Sequence, residues 1–401
     1  MNILFICHRF PYPPVGGAKV RAFHMIRHLS EQGHKVTVCS LARSQDEVEE
    51  GRGIAPFCAG FEMATVKAPV QVLRMVVSLP TLGSASEAYF YSPELQRRIN
   101  GLLKDRQWDL IIVHCSSVAR YVEDVTHIPK LLDYCDMDSQ KWLEYVRYKR
   151  FPVSAGYWLE GQKILSAEKR IARKFDLGAV ATVAEQQTLD SFGTGVLSDW
   201  FPNGVDTEFF SPSAEPYEES TISFIGRMDY YPNEECMTTF CQDTLPLLRA
   251  VRPDIHLIIV GAEPSPGVRK LAELPGVTVT GSVPDVRPYV WRSALTIAPL
   301  NIARGTQNKI LEAMAMGVPV VTSSIAAGGV DAQDEAHFLV ADTPADYARA
   351  IMRILSNPVE RQRLSLAGRE RMLTHHTWLR AMGRLDGVIE RCITRFGKRQ
   401  G

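Results

Sequence analysis

The chain is predicted to be α/β, with two Rossmann-like domains built on parallel sheets. Three observations lead there. Its 401 residues exceed what one ordinary hydrophobic core accommodates. A strand–loop–helix–strand unit opens the chain, and the same pattern restarts after Asn203-Gly204-Val205-Asp206. The strands read as uninterrupted apolar runs, which strands covered on both faces require.

Asn2–Cys7 (Asn-Ile-Leu-Phe-Ile-Cys) is the first such run. Residues 9–17 form a Pro/Gly loop. Residues 18–32 then carry Val20, Phe23, Ile26 and Leu29 at helical spacing. Gly33-His34 closes that helix, and residues 35–41 are the next strand. Repetition of this unit implies a parallel sheet with helices on both faces. Further strands are expected at Leu110–His114, 130–133 and 178–183, with a long basic helical segment at 138–175. After the restart, strands are expected at 221–225, 255–260, 277–280, 295–298 and 318–322. A last helix spans 377–396. The two arrays join near 192–212, which gives domains at 1–197 (with the terminal helix, 377–401) and 198–376.

Composition narrows the function classes. Apolar residues are 45% and charged residues 22%, an ordinary soluble balance. Lys+Arg and Asp+Glu are equal at 45 each, so no global field favours nucleic acid and an anionic ligand must be held locally. The eight cysteines form no Cys-x-x-Cys pair and sit in apolar runs, as small buried hydrophobes of a reducing compartment do. No basic leader precedes the first strand, and no apolar run reaches roughly 18 residues. A cytoplasmic protein is expected, peripheral at most on the inner face of the plasma membrane.

Ligands of open parallel sheets bind beyond the carboxyl ends of the strands, where every candidate residue falls. Gly16 and Gly17, in Pro13-Pro14-Val15-Gly16-Gly17-Ala18-Lys19, precede a helix whose N-terminus favours negative charge, although the run is neither Gly-x-Gly-x-x-Gly nor a phosphate loop. A tight turn is the plain alternative. His114 ends an apolar strand, where a histidine is either a hydrogen-bonded core residue or a functional one. Arg227 follows Phe224-Ile225-Gly226 and can offer paired donors to a diphosphate, or pair with Asp229 or Glu234 on the surface. The most specific stretch is Pro299-Leu300-Asn301-Ile302-Ala303-Arg304-Gly305-Thr306-Gln307-Asn308-Lys309-Ile310-Leu311-Glu312-Ala313-Met314-Ala315. There a glycine loop feeds a short helix, and the Glu312 carboxylate among small residues needs a donor such as a ribose hydroxyl.

That stretch, with Asn203-Gly204-Val205-Asp206 and Gly16-Gly17, resembles glycosyltransferase family 4 over nearly the whole chain. The resemblance implies a retaining, metal-independent transferase of the GT-B fold, two facing domains with the last helix returning to the first. Within the family, Pro-Leu-x-x-x-Arg-Gly-x-Gln-Asn-Lys before Leu-Glu-Ala-Met-Ala is similar to bacterial exopolysaccharide sugar transferases. By position, Glu312 resembles the ribose-binding glutamate and Arg227 the arginine that neutralises the donor diphosphate. Gly16 and Gly17 resemble the loop that admits phosphate and acceptor, and His114 the histidine beside the transferred sugar. Val283 falls where backbone meets the base; Asn203, Arg304, Gly305 and Thr306 belong to the donor side. Two positions depart from the family. Arg304 stands where the first glutamate of the Glu-x7-Glu pair is expected, and Asn233 where a lysine is. Lys309 is then expected to restore the missing charge and to share the diphosphate with Arg227.

The resemblance implies a nucleotide-diphosphate sugar as donor, a saccharide or lipid-linked acceptor, and no cofactor, metal or nucleic acid. Three other readings stand beside it. Asp136-Met137-Asp138 matches the Asp-x-Asp of metal-dependent transferases, although Asp138 also reads as the cap of a helix over 139–148. A nucleotide-sugar epimerase and a non-catalytic polysaccharide-assembly protein share the fold. Finally, residues 141–174 hold nine Lys/Arg against three Glu, interleaved with aromatics. Such a stretch suits an anionic membrane surface, or a solvated helix with its rings turned inward.

Overall fold

The computed structural model describes residues 1–14 and 16–400. Val15 of the glycine loop and Gly401 lie outside the described residues, as do the side chains of Ala18 and Gln400. The chain divides into two compact units, Met1–Phe201 with Met382–Gly401, and Pro202–Ala381.

In the first unit seven parallel strands, β1 (Asn2–Cys7), β2 (Lys35–Ala42), β3 (Gly60–Thr65), β4 (Leu110–His114), β5 (Lys130–Cys135), β6 (Leu177–Val180) and β7 (Leu197–Trp200), lie in the order β3-β2-β1-β4-β5-β6-β7. Ile3 pairs with Val36 on one side and Leu110 on the other. From Ile3 to Cys7 every side chain is fully buried, as expected for a central strand covered on both faces. Each apolar side chain so buried contributes about 1.5–3 kcal/mol relative to exposure. Helix α1 (Gly17–Glu31) follows β1 and is closed by Gly33 at φ +79°, a conformation glycine adopts at no steric cost.

Three helices matter later: α2 (Ala68–Ser78), α3 (Asp138–Tyr145) and α4 (Val153–Ala172). The expected single segment over 138–175 is therefore two helices. A short 3-10 turn, Val146–Tyr148, and Pro152 separate them, because proline excludes continuation of the first helix. Asp138 is not a cap; Met137 holds that position and Asp138 is the first helical residue. The strand expected at 178–183 stops at Val180, since Thr182 caps a helix by accepting from the Glu185 amide.

The second unit has six parallel strands: β8 (Glu218–Ile225), β9 (His256–Val260), β10 (Val277–Val279), β11 (Ser293–Ala298), β12 (Val320–Thr322) and β13 (Leu339–Val340). Their order is β10-β9-β8-β11-β12-β13. Helix α5 (Tyr231–Thr239) follows β8 and α6 (Asn308–Ala315) follows β11. The terminal helix α7 (Trp378–Gln400) belongs to the first unit from Met382 onward. There His28 Nε2 meets Asp386 Oδ1 at 2.8 Å and Arg399 Nη1 donates to Asp176 Oδ1 at 2.8 Å.

In each sheet the strand order reverses once, between β1 and β4 and between β8 and β11. A crevice opens at such a reversal beyond the carboxyl ends, because consecutive crossovers leave to opposite faces. These two crevices collect the sequence candidates: Gly16, Gly17 and His114 in the first unit, Arg227 and the loop before α6 in the second.

Candidate active site

In the first unit the floor of the crevice is a buried ionic chain. Strand pairing sets His114 beside Asp133 at the ends of β4 and β5. His114 Nδ1 is 2.8 Å from Asp133 Oδ2, and Arg21 of α1 bonds both oxygens of that carboxylate at 2.9 and 3.0 Å. Arg21 also donates to the Phe201 carbonyl at 2.9 Å and lies over the Phe201 ring. The side chains of Arg21, His114 and Asp133 are all buried. Burial alone would push the Asp133 carboxyl up, but Arg21 and His114 hold it well below the usual carboxylate range. An ionised carboxylate only accepts, so the hydrogen of His114 sits on Nδ1 and Nε2 is the atom left for chemistry. The plain reading of His114 as a hydrogen-bonded core histidine thus holds for one ring nitrogen.

His8, directly after β1, stacks on His114 with ring centroids 6.0 Å apart. Burial, the neighbouring His114 and Arg9 depress its pKa to about 3, so it stays neutral. It lines a cleft of about 460 Å³ over the ends of β1–β3, with Arg9, Arg43, Gln71 and Phe90 among the walls. Gly16 precedes α1 at φ +86°, with both glycines exposed. Its carbonyl accepts from the Lys19 and Val20 amides, which makes Gly16 the N-cap of α1. Sequence reasoning missed Arg21, His8 and the role of Asp133. Their signal was positional: a charged residue on the buried face of the first helix, and polar residues closing adjacent strands.

Asp136 and Asp138 share their surroundings with Lys141. Burial and Glu185 raise the Asp136 carboxyl to about 7, and burial raises Asp138 too, against the pull of the lysine. Among the described residues the group with metal-ligand spacing is His114, Asp133 and Cys135, not the Asp-x-Asp pair. Asp133 there is already bonded on both oxygens to the Arg21 cation.

In the second unit Gly226 directly follows β8, and Lys309 of α6 reaches back to it. Lys309 Nζ lies 2.6 Å from Asn233 Oδ1 and 4.2 Å from the centre of the Phe224 ring. Asn233 Nδ2 in turn donates to the Arg227 carbonyl at 2.8 Å. The asparagine in place of the expected lysine thus orients the lysine supplied by α6. A side chain on Gly226 would meet both, its Cβ falling 2.8 Å from Asn233 Nδ2 and 3.2 Å from Lys309 Nζ. Burial lowers the Lys309 ammonium to about 8, and burial raises the Glu312 carboxyl to about 7, each opposed by the other's charge.

The structure does not bring the Arg227 guanidinium to this group. It is exposed and bonds Asp229 at 3.0 and 2.7 Å and Glu263 at 2.5 Å. Asp229 was one expected surface partner; Glu263 takes the place expected for Glu234. Gly305 turns the loop before α6 at φ +61°, and the Arg304 carbonyl accepts from Gln307 Nε2 at 2.9 Å. Thr306 Oγ1 is buried without a hydrogen-bond partner, a costly state that a ligand would relieve. Asn203 Nδ2 donates to Asn308 Oδ1 at 3.1 Å and so fixes the first residue of α6. Its neighbour Gly204 serves packing, since a Cβ there would lie 2.6 Å from the Trp378 backbone. Val283 is half-buried against the core of this unit.

Comparison with known proteins places the chain in a family. The Glycosyltransferase Family 4 profile matches residues 15–209, and the profile of group 1 glycosyl transferases matches 219–357. A phosphatidyl-myo-inositol mannosyltransferase of Mycobacterium leprae is 28% identical over 81% of this chain and 84% of its own length. One of Propionibacterium freudenreichii is 34% identical, over 35% of this chain and 36% of that protein. Sucrose-phosphate synthase of Thermosynechococcus elongatus superposes with a TM-score of 0.74 at 17% identity, covering 98% of this chain and 100% of that one. Anabaena HepE in complex with UDP superposes with a TM-score of 0.70 at 13% identity, covering 97% and 100%. These likenesses establish the GT-B fold. The chain belongs to the family 4 glycosyltransferases.

Proposed function

We propose that this glycosyltransferase moves a hexosyl group from a nucleoside-diphosphate sugar to a lipid-linked acceptor, with retention and without a metal. The observation that carries the reading is the Lys309–Asn233–Gly226 group at the strand-order reversal of the second unit. The glycine lets the lysine and Asn233 close on the strand end, and a cation held at that place suits a diphosphate. The unpartnered Thr306 hydroxyl and the N-terminus of α6 add donors, and Glu312 supplies the acceptor for ribose hydroxyls. As the bond from sugar to diphosphate breaks, the leaving group gains charge, which Lys309 and a released Arg227 stabilise. Protein cations then do the work that a metal does in other transferases. In the first unit this reading gives Nε2 of His114, whose ring Asp133 orients, the role of contacting the transferred sugar. A lipid-linked acceptor is favoured because several relatives are named for phosphatidylinositol substrates, one of them as GDP-mannose-dependent. An acceptor of exopolysaccharide assembly is of the same lipid-linked class.

Thermal shift and calorimetry with UDP-, GDP-, ADP- and CMP-linked sugars in EDTA test this. Stabilisation by one nucleotide class, followed by incorporation of its labelled sugar into a lipid fraction, is expected. Stabilisation only after Mn²⁺ is added would transfer the site to Asp136 and Asp138. Binding without turnover to any acceptor would favour the assembly protein.

A further inference from the structure

Helix α2 is built inside out. Its polar residues face the protein: Gln71 is buried, with Nε2 donating to the Tyr89 and Tyr91 carbonyls, and Arg74 Nη1 donates to Gln71 Oε1 at 2.8 Å and to the Tyr91 carbonyl at 2.6 Å. Its apolar residues face away: Leu73 is 62% exposed and Val77 64%, with Val72 and Val76 between them on the same side. The loop that follows keeps the pattern, with Leu82 at 96% exposure. A soluble surface helix shows the reverse arrangement, so this face calls for apolar cover.

Charge identifies the cover. No Asp or Glu lies between Glu62 and Glu87, nor between Glu144 and Glu160. The second acid-free run is the turn from α3 into α4, where Phe151 (84% exposed), Val153 and Trp158 stand out beside the exposed Arg147 and Arg150. Lys163 Nζ donates to the Leu79 carbonyl at 2.6 Å, which ties α4 to the end of α2. The two acid-free runs thus set an apolar surface beside cations, complementary to the anionic headgroups and acyl boundary of a bilayer. Elsewhere in the basic stretch the charges and rings have partners within the protein. Arg170 pairs with Glu87, Lys174 with Asp124, and Trp142 packs on Tyr157.

We infer that α2, its following loop and the α3–α4 turn dock this domain on an anionic lipid surface. The cleft beside His8 opens next to it, since Ala68 and Gln71 of α2 form part of the cleft wall. As a route for a lipid-linked acceptor the surface rests on the function proposed above. Vesicle binding is read without turnover, so each can fail independently of the other.

The test is co-sedimentation of the full chain with phosphatidylcholine vesicles, with and without phosphatidylglycerol, at low and high salt. Native protein should pellet with the anionic vesicles and be released by salt. Leu73→Glu/Val77→Glu should lower the partition at least tenfold while the melting temperature and nucleotide binding stay native. Arg147→Glu/Arg150→Glu should abolish only the preference for anionic lipid. Equal pelleting of native protein and the Leu73→Glu/Val77→Glu variant overturns the inference. So does a native dimer in analytical ultracentrifugation that the same variant splits, which would assign the face to a second copy.

Discussion

One oxygen of Asp133 serves two partners: Oδ2 lies 2.8 Å from His114 Nδ1 and 2.9 Å from Arg21 Nε. The carboxylate thereby orients the histidine and neutralises the arginine at once. Asp133→Asn would leave the Arg21 cation buried and unpaired, which costs about 3–5 kcal/mol and should show directly in urea unfolding. Because the Asp133 pKa is depressed in the fold, its contribution is present at neutral pH and is lost as pH falls through the carboxylate range and below. The variant should lack that part of the acid limb. Its kcat should fall about tenfold or more, the size of one hydrogen bond to a charged group, with donor KM nearly kept. Native kcat in a folded Asp133→Asn protein would reduce the chain to a structural role. His114→Ala, with the same readout, separates the histidine from its support.

Lys309 and Glu312 set a pH window for the donor. Glu312 ionises at about 7 and Lys309 loses its proton at about 8, so both carry charge only between these values. Nucleoside-diphosphate affinity, measured by calorimetry, should therefore be bell-shaped with its maximum there. Lys309→Ala should weaken binding about 10–100-fold and erase the alkaline limb, while Glu312→Gln should erase the acid limb. A raised carboxyl pKa gives stability that is lost as pH rises towards 7, and a lowered lysine pKa imposes a cost relieved only above 8. The pair thus contributes least to stability where it binds best. A flat affinity profile would detach both residues from the diphosphate.

Legibility in the sequence followed burial. Strands such as Asn2–Cys7 and Leu110–His114 were readable to the residue, because a central parallel strand must be apolar throughout. The strands at Gly60–Thr65 and Leu197–Trp200 were missed, since edge strands keep a solvated side and lose that signature. At the second-unit site, Arg227 and Glu312 were named from their places after a strand and in a helix, and Lys309 from the family resemblance; the structure sets Lys309 against Asn233. What spacing did not convey was direction: Arg227 turns to Asp229 and Glu263, Gln71 turns inward, and Arg21 is buried. Each depends on a partner distant in sequence.

Arg227 is occupied by carboxylates that a diphosphate must displace. Glu263, at φ +54°, presents its carboxylate 2.5 Å from the guanidinium. Exposed pairs of this kind are worth about 0.2–1 kcal/mol, so Glu263→Gln should tighten nucleoside-diphosphate binding by up to about fivefold. Stability should stay within about 0.5 kcal/mol of native. Weaker binding in this variant would mean that Glu263 itself touches the donor.

The ends of β8 and β9 approach too closely for a side chain at Gly261. Its φ is +155°, and a Cβ built there would fall 1.6 Å from the Gly226 carbonyl oxygen. Hydrogen bonds from the Gly226 amide to Val260 and from the Met228 amide to Ala262 lock the two segments on either side of the contact. Gly261→Ala must therefore part the strand ends and displace Gly226, against which Lys309 is held. A loss of about 3 kcal/mol or more in urea unfolding is expected, with weakened nucleotide binding in whatever folds. Gly156→Ala is the control, since that exposed glycine of α4 has no atom within 4 Å of an added Cβ and alanine there should stabilise by about 0.5–1 kcal/mol. Native stability in Gly261→Ala alongside a stabilised Gly156→Ala would refute the close approach that shapes the diphosphate end of the site.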